Sequence, residues 1–170
     1  MLNIYLTNLG KYNEGMLVGE WLSLPATDEE IEAVKTRIGI NEQYEEWFIT
    51  DYETDVDGLT VGEYDNLDEL NELAEVIEED AEGVAALMYF GYNTAEEIAD
   101  KLCDLIRIEG SASMNMDESI GWYYAEEMGT LDAIPEHLKY YFNYESYGRD
   151  IRLEGQFYET ESGDIIELIA

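Results

Sequence analysis

The chain has 170 residues, of which 41 are Asp or Glu and 8 are Lys or Arg, so its formal net charge is −33. This balance argues against direct binding of nucleic acid or of an anionic membrane, because both contacts need clustered Lys and Arg. Disorder is also disfavoured, since hydrophobic residues make up 46% and aromatic residues 12% of the chain, whereas acidic disordered segments are poor in aromatic residues.

The first part of the chain predicts a small sheet with one helix. Hydrophobic patterning predicts three strands, at residues 2–9, 16–22 and 44–52. Thr27 and Glu30 form a capping-box pattern, and Gly39 follows the helical repeat where a C′ glycine is expected. We therefore expect an N-terminal α+β domain over residues 1–60, with a three-stranded sheet and one helix.

The middle of the chain predicts helices. An apolar face marks a first helix over residues 67–79, and a short apolar segment at 84–89 predicts a second. Thr94 opens another capping-box pattern, from which a helix is expected to continue as far as Leu105. These elements predict a small helical domain over residues 61–103.

The last part of the chain predicts a second α+β domain, over residues 104–170. Pro135 is expected at the first position of a short helix, where its missing N–H costs nothing. The other predicted elements are a strand within 106–114, a helix at 117–128, a strand at 151–158, a turn at 161–164 and a closing strand at 165–169. The expected fold class is thus α+β, with three small domains in series.

Negative charge is present in every part of the chain and strongest in the middle. Residues 61–100 contain 13 acidic residues and no basic residue. Within the helix predicted at 67–79, acidic residues recur every three or four positions and stack on one face, where like charges lower helix stability. A halophilic or highly soluble surface is one interpretation. The other is mimicry of a polyanion: at about 1.7 Å of duplex per charge, 33 charges match about 56 Å of B-form DNA.

Signals for catalysis or ligand binding are weak. His137 is the only histidine, and Cys103 lies in a predicted helix with apolar neighbours, which predicts a buried, inert thiol. If Glu53 begins an EF-hand loop, Gly58 falls at position 6, but position 12 is Tyr64 rather than the required Glu. We therefore expect no enzymatic activity, no cofactor and no specific metal site.

Two segments exceed what composition explains. Residues 4–21 contain the pattern I-Y-x-x-N-L-x-x-Y-N-x-G-x-x-x-G-x-W. Residues 138–152, LKYYFNYESYGRDIR, are dense in aromatic residues and include two arginines. The second segment is compatible with a core segment followed by a turn, or with a protein–protein interface, in which Tyr and Arg are enriched.

The first pattern resembles the opening of the ArdA antirestriction proteins, and residues 141–150 resemble the antirestriction motif of that family. The usual motif is Asp, Tyr, Glu, Ala, an aromatic residue, Gly, Arg, Asp, so this chain departs from it at Asn143 and Ser146. The resemblance covers essentially the whole chain.

The resemblance implies an elongated, dimeric DNA mimic, of a kind encoded mainly on mobile genetic elements. ArdA proteins inhibit type I restriction–modification enzymes by occupying the DNA-binding groove of the methyltransferase core. The carboxylates expected to stand for phosphates are Asp65, Asp68, Glu69, Glu72, Glu75, Glu79, Glu82, Glu96, Glu97 and Asp100. The motif residues expected near the dimer contact are Tyr141, Phe142, Tyr144, Glu145, Tyr147, Gly148, Arg149 and Asp150.

Other functions stay open at this point. An acidic adaptor or chaperone would bind basic DNA- or RNA-binding proteins broadly, and a divalent-metal protein would bind calcium saturably. A hydrolase is the weakest alternative, because no carboxylate pair stands out, and a mimic has other DNA-binding proteins as further candidate targets. The single Cys103 and the lack of a signal region at the start of the sequence predict a cytoplasmic location.

Overall fold

The computed structural model describes residues 1–169. The protein is mixed α+β, as expected: it is 47% helical, and the described residues form seven α-helices and two three-stranded antiparallel sheets. The chain divides into two compact units, one formed by residues 1–88 with 92–100, and the other by residues 89–91 with the chain from 101 onward. The three domains 1–60, 61–103 and 104–170 stay a prediction.

The first sheet has β1 (Leu2–Asn8) between β2 (Gly19–Leu24) and β3 (Trp47–Thr54), both antiparallel to it. β1 confirms the predicted strand at 2–9, and its fully buried side chains form the centre of the core. β2 and β3 begin three residues later than predicted. β2 begins late because a helical turn that was not predicted, α1 (Leu9–Asn13), precedes it. The Asn8 side chain caps this turn by accepting from the backbone N–H of Lys11.

The predicted capping box and glycine stop define α2 (Asp28–Arg37). The Thr27 hydroxyl accepts from the Glu30 backbone N–H at 3.3 Å, and the Glu30 carboxylate accepts from the Thr27 N–H at 2.9 Å. Gly39 has φ +83°, the left-handed conformation expected after a helix. The helix places the predicted apolar residues Ile31 and Val34 in the core.

The longest helix, α3 (Leu67–Tyr89), contains a break at Asp80, whose φ of −157° and ψ of 84° are not helical. The Asp80 carboxylate accepts from the Gly83 backbone N–H at 2.9 Å, so Asp80 acts as an N-cap for the second segment. The two segments agree with the helices predicted at 67–79 and 84–89. All five apolar residues of the predicted first face are buried: Leu67, Leu70, Leu73, Ala74 and Ile77.

The next helix, α4 (Ala95–Lys101), begins as predicted, with the Thr94 hydroxyl accepting from the Glu97 N–H at 3.2 Å. It ends before the predicted limit, because a 3₁₀ turn at Leu102–Asp104 leads directly into β4 (Leu105–Ile108). Cys103 lies in that turn and is exposed, so the prediction of a buried thiol is wrong. β4 is also shorter than the strand allowed within 106–114.

The helices of the second unit are α5 (Met116–Trp122), α6 (Glu136–Lys139) and α7 (Tyr144–Glu154). A π-helical turn, Tyr123–Glu127, extends α5 over most of the helix predicted at 117–128. Pro135 precedes α6 as its N-cap instead of occupying the first helical position. No helix among residues 1–169 is long and apolar enough to cross a bilayer.

Residues 138–152 hold most of α7, which was not predicted. The strand predicted at 151–158 is therefore wrong in its first half, because the helix continues to Glu154 and β5 begins only at Gln156 (Gln156–Glu159). The predicted turn at 161–164 and closing strand are confirmed, the latter as β6 (Ile165–Leu168). β6 is the central strand of the second sheet, between β4 and β5.

Candidate functional site

The structure places all ten carboxylates predicted to mimic phosphates at exposed positions of the first compact unit. Asp65 lies in the loop before α3, Glu96, Glu97 and Asp100 lie on α4, and the other six lie on α3: Asp68, Glu69, Glu72, Glu75, Glu79 and Glu82. Glu78 is exposed on α3 as well and was not in the predicted set.

Packing of α3 determines where its charges point. Leu70, Leu73 and Ile77 are buried at spacings of three and four, so the acidic residues between them project to the solvent. Six acidic residues occur from Asp68 to Glu79. With a rise of about 1.5 Å per residue, these eleven steps carry one charge per about 3.3 Å of helix axis.

Two basic residues of the first unit, Lys35 and Arg37, are paired with acidic neighbours, whereas the Lys11 ammonium donates to the Ile38 carbonyl at 3.4 Å. The Arg37 guanidinium binds both carboxylate oxygens of Glu20, with its Nε at 3.0 and 2.9 Å and its Nη2 at 2.7 Å. These hydrogen bonds lower the pKa of Glu20 below its usual value. Lys35 contacts Glu32 at 2.8 Å. The segment 61–100 contains no Lys or Arg of its own.

The second candidate site is the predicted antirestriction motif, which forms the end of a loop and most of α7. Asn143 is the N-cap of this helix, and its side-chain oxygen accepts from the Ser146 backbone N–H at 2.9 Å. The departure from Asp at this position therefore keeps a residue with the same capping ability.

A close crossing of α7 over α5 explains the glycine of the motif. A Cβ atom on Gly148 would lie 1.8 Å from the Asp117 carbonyl oxygen, and one on Gly121 would lie 1.9 Å from the Tyr144 carbonyl oxygen. The Arg152 guanidinium also joins the helices, with Nε 2.5 Å from Oδ1 of Asp117. Because Gly148 is buried within the chain, any effect it has on assembly must act through the position of α7.

Three aromatic residues of the motif are engaged within the second unit. The Tyr144 hydroxyl donates to the Glu126 carboxylate, and this hydrogen bond raises the pKa of Tyr144 to about 12. The Tyr147 hydroxyl lies 3.3 Å from that of Thr130. The Phe142 ring packs edge-on against Tyr144 and Tyr147, with centroids 5.3 and 5.2 Å apart.

The remaining predicted motif residues face the solvent. Tyr141 is 79% exposed, and Glu145, Arg149 and Asp150 are exposed on α7. Arg149 Nη2 lies 3.8 Å from Asp150 Oδ1, an exposed pair of little energetic weight. Leu153, one turn beyond Arg149, is 71% exposed. The helix therefore presents an outer face of mixed charged and apolar character.

The sequence analysis missed two features. The first is a cleft in the first unit, lined by Trp47 and Tyr64 together with several carboxylates. The second is the buried Glu167 of β6, whose carboxylate accepts from the Tyr124 hydroxyl at 2.6 Å. A buried Glu in a four-residue apolar strand was a visible signal for the second. No group of three or more His, Cys, Asp or Glu within residues 1–169 is arranged to hold a metal ion.

The family model of the antirestriction protein ArdA matches residues 4–165. The chain belongs to the ArdA family. The match includes both segments that carry the sequence resemblance, and membership assigns the chain an antirestriction function. No curated protein matches the chain.

Proposed function

We propose that this ArdA-family chain acts as a mimic of B-form DNA and inhibits type I restriction–modification enzymes by occupying the DNA-binding groove of their methyltransferase core. It does so by binding and catalyses no reaction. The observation that carries the proposal is the row of exposed carboxylates on α3, in a segment without any basic residue.

The charge spacing supports mimicry of one DNA strand. From Asp68 to Glu79 the helix carries one negative charge per about 3.3 Å, and each strand of B-form DNA carries one per about 3.4 Å. A protein groove that accepts phosphates attracts such a row over a distance and releases bound counterions when it closes on it. The binding therefore needs neither bases nor sugars.

We propose further that the chain forms a homodimer through the outer face of α7. Leu153 exposes apolar surface there, one helical turn after Arg149, and Tyr141 is exposed in the segment just before the helix. A dimer would carry twice the charge of −33, or −66, the charge of about 33 base pairs of duplex. Replacing Arg149 with Ala should weaken the dimer, and an unchanged dissociation constant by sedimentation equilibrium would refute this role.

The decisive experiment is competition for a purified type I methyltransferase core bound to labelled duplex DNA, at two salt concentrations. The test variant Glu72→Gln/Glu75→Gln/Glu79→Gln removes three charges from α3. The matched control Glu42→Gln/Glu45→Gln/Glu46→Gln removes three exposed charges from the loop before β3. Both variants have the same net charge, so a difference between them measures placement of charge.

We expect stoichiometric displacement of DNA by the wild-type chain, weaker displacement at high salt, and a much larger loss for the α3 variant than for the loop variant. Equal losses would mean that total charge alone matters. If the chain displaces no DNA but binds an unrelated basic protein tightly, the acidic adaptor is favoured instead.

A further inference from the structure

The cleft of the first unit has the size and aromatic walls of a binding site. Its volume is about 740 Å³, within the range of about 300–1,000 Å³ typical of ligand clefts. Trp47 of β3 and Tyr64 of the following loop supply the rings, and Ile31 of α2 supplies apolar surface. None of these three residues belongs to the predicted phosphate-mimicking set.

The cleft carries an excess of negative charge. Its lining includes five carboxylates and one ammonium group, so its formal charge is −5 + 1 = −4. The carboxylates are those of Asp28, Glu32, Glu63, Asp65 and Asp68, and the ammonium group is that of Lys35. The N-terminal ends of α2 and α3 each add about half a positive charge, which leaves a net charge of about −3.

A cation of the chain already occupies part of this cleft. The Lys35 ammonium lies 5.7 Å from the centroid of the Trp47 ring and 2.8 Å from a carboxylate oxygen of Glu32. The structure therefore contains the combination of an aromatic face and a carboxylate around a positive group. Tyr64 offers a second ring that is 70% exposed, and no Lys or Arg among residues 1–169 lies over it.

Ring stacking and hydrogen bonds hold Tyr64 and its acidic neighbours in place. The Tyr64 ring stacks on Phe48 at a centroid distance of 6.2 Å and an interplanar angle of 23°. The Glu63 carbonyl accepts from the Ile49 backbone N–H of β3 at 2.9 Å. Asp65 accepts from the Gly62 N–H at 2.7 Å. Little rearrangement is then needed to receive a ligand.

We propose that this cleft is a receptor for an arginine side chain presented by the protein partner, with the guanidinium stacked on Tyr64 and paired with Glu63 or Asp68. Arginine fits better than lysine because its planar, weakly hydrated guanidinium stacks on rings and binds carboxylates with two hydrogen bonds. That the arginine belongs to the DNA-binding groove of a restriction–modification enzyme rests on the proposed function. The cleft then anchors one side chain, while the α3 carboxylates beyond Asp68 supply the diffuse field.

The cleft can be tested without any enzyme, by titrating N-acetyl-arginine amide into the chain and following the indole N–H signals of its three tryptophans by NMR. The Trp47 signal should shift and saturate, while those of Trp21 and Trp122 serve as internal controls for general attraction to an acidic protein. Acetyl-lysine amide should bind more weakly, and the neutral acetyl-citrulline amide should not bind. Equal shifts at all three tryptophans would overturn the proposal. So would a shift of the Trp47 signal by acetyl-citrulline amide that equals the shift by the arginine amide.

Two variants test the ring in the same titration and in the DNA competition. Tyr64→Ala should weaken both arginine binding and displacement by about fivefold to thirtyfold, the range of a desolvated cation–π contact, and Tyr64→Phe should stay within twofold of wild type. Glu63→Gln should weaken binding more than the matched control Glu45→Gln. If Tyr64→Ala binds arginine as well as wild type does, the cleft proposal fails. If arginine binds but wild type displaces no DNA, the proposed function fails and the arginine preference stands.

Discussion

Two glycines, one on each helix, set the distance between α5 and α7. Gly121 and Gly148 let the helix backbones approach so closely that any Cβ would overlap a carbonyl oxygen of the other helix. A backbone atom cannot move aside as the end of a flexible side chain can. The glycine of the antirestriction motif is thereby explained by packing within one chain, separately from any role in assembly.

Replacing Gly148 with Ala should therefore destabilise the second unit. Forcing one extra carbon into a packed contact costs about 1–3 kcal/mol, and the backbone clash places this variant at the upper end. Ser146→Ala, on the same helix, restores the residue usual in the family and should change the free energy of unfolding by less than about 0.5 kcal/mol. Urea denaturation compares the two, and equal stability of both variants would contradict the role given to Gly148.

Glu167 is a buried acidic residue whose surroundings raise its pKa and thereby change how stability depends on pH. It is only 7% exposed, on the central strand β6, opposite Ile106 of β4 and Phe157 of β5. Burial raises the pKa of its carboxyl group above the usual 4.5, and the hydrogen bond from Tyr124 offsets part of this effect. The folded chain thus holds a proton that the unfolded chain releases as the pH rises from 4.5 toward the folded pKa, so stability falls across that interval.

Glu167→Gln should remove this loss, because the amide keeps an acceptor for Tyr124 but does not ionise. We expect the variant to have a higher melting temperature than wild type at pH 7.5 and a similar one at pH 4.5. Glu159→Gln removes the same charge from an exposed position of β5 and controls for net charge. A gain for Glu167→Gln that is as large at pH 4.5 as at pH 7.5 would show that ionisation is not the cause.

At the scale of elements, the sequence predicted best those helices that have local start and stop signals. Thr27 and Gly39 bound α2, and the apolar face at 67–79 with the apolar segment at 84–89 located both parts of α3. The helix α7 was missed because five of its first seven residues have modest or poor helix propensity, namely Tyr144, Ser146, Tyr147, Gly148 and Asp150. Its stability comes from the tertiary contact with α5. The first turn of α1 was missed because Leu9 and Gly10 follow a strand without interruption.

The row of like charges on α3 predicts a conflict between stability and inhibition. Glu72→Lys would place a cation three or four residues from Asp68, Glu69 and Glu75, turning three repulsive pairs into attractive ones. Each pair loses a repulsion and gains an attraction of about 0.2–0.5 kcal/mol each, so the helix should gain about 1–3 kcal/mol. The same variant should displace DNA less well. If the acidic residues of α3 served only solubility, Glu72→Lys would displace DNA as well as wild type.

Urea denaturation and the DNA competition, run on the same preparations, test this conflict. Glu72→Gln removes the repulsion without adding attraction and should fall between wild type and Glu72→Lys in both measurements. A variant that is more stable and inhibits as well as wild type would contradict the assignment of α3 as the mimicking surface.

For the whole molecule, the composition already contains the charge of −33, but the position of each carboxylate depends on the fold. The amphipathic pattern of α3 was sufficient to predict six of its exposed acidic residues, although it left out Glu78. The cleft was not predictable, because Trp47, Tyr64 and Asp28 come from separate elements that only the folded first unit brings together. The crossing of Gly121 and Gly148 was hidden for the same reason.

Salt should have opposite effects on folding and on inhibition. Raising NaCl from 50 to 500 mM shortens the screening length from about 14 Å to about 4 Å, which weakens self-repulsion and should increase the free energy of unfolding. The same screening should raise the dissociation constant for the restriction enzyme. Urea, an uncharged denaturant, gives the first quantity without adding ions. A chain that is unfolded at 50 mM and folds only in molar salt would instead support a halophilic origin of the acidic composition.

The α5–α7 crossing has a consequence for how such chains diverge. One exposed carboxylate can replace another a few positions away with little change in the field, so the acidic residues are free to drift among relatives. The two glycines have no substitute, since even alanine overlaps backbone on either helix. We expect distant homologues to be recognised less by their acidic residues than by a glycine pair separated by 148 − 121 = 27 positions, and a change at one glycine to be accompanied by a shift of the facing helix.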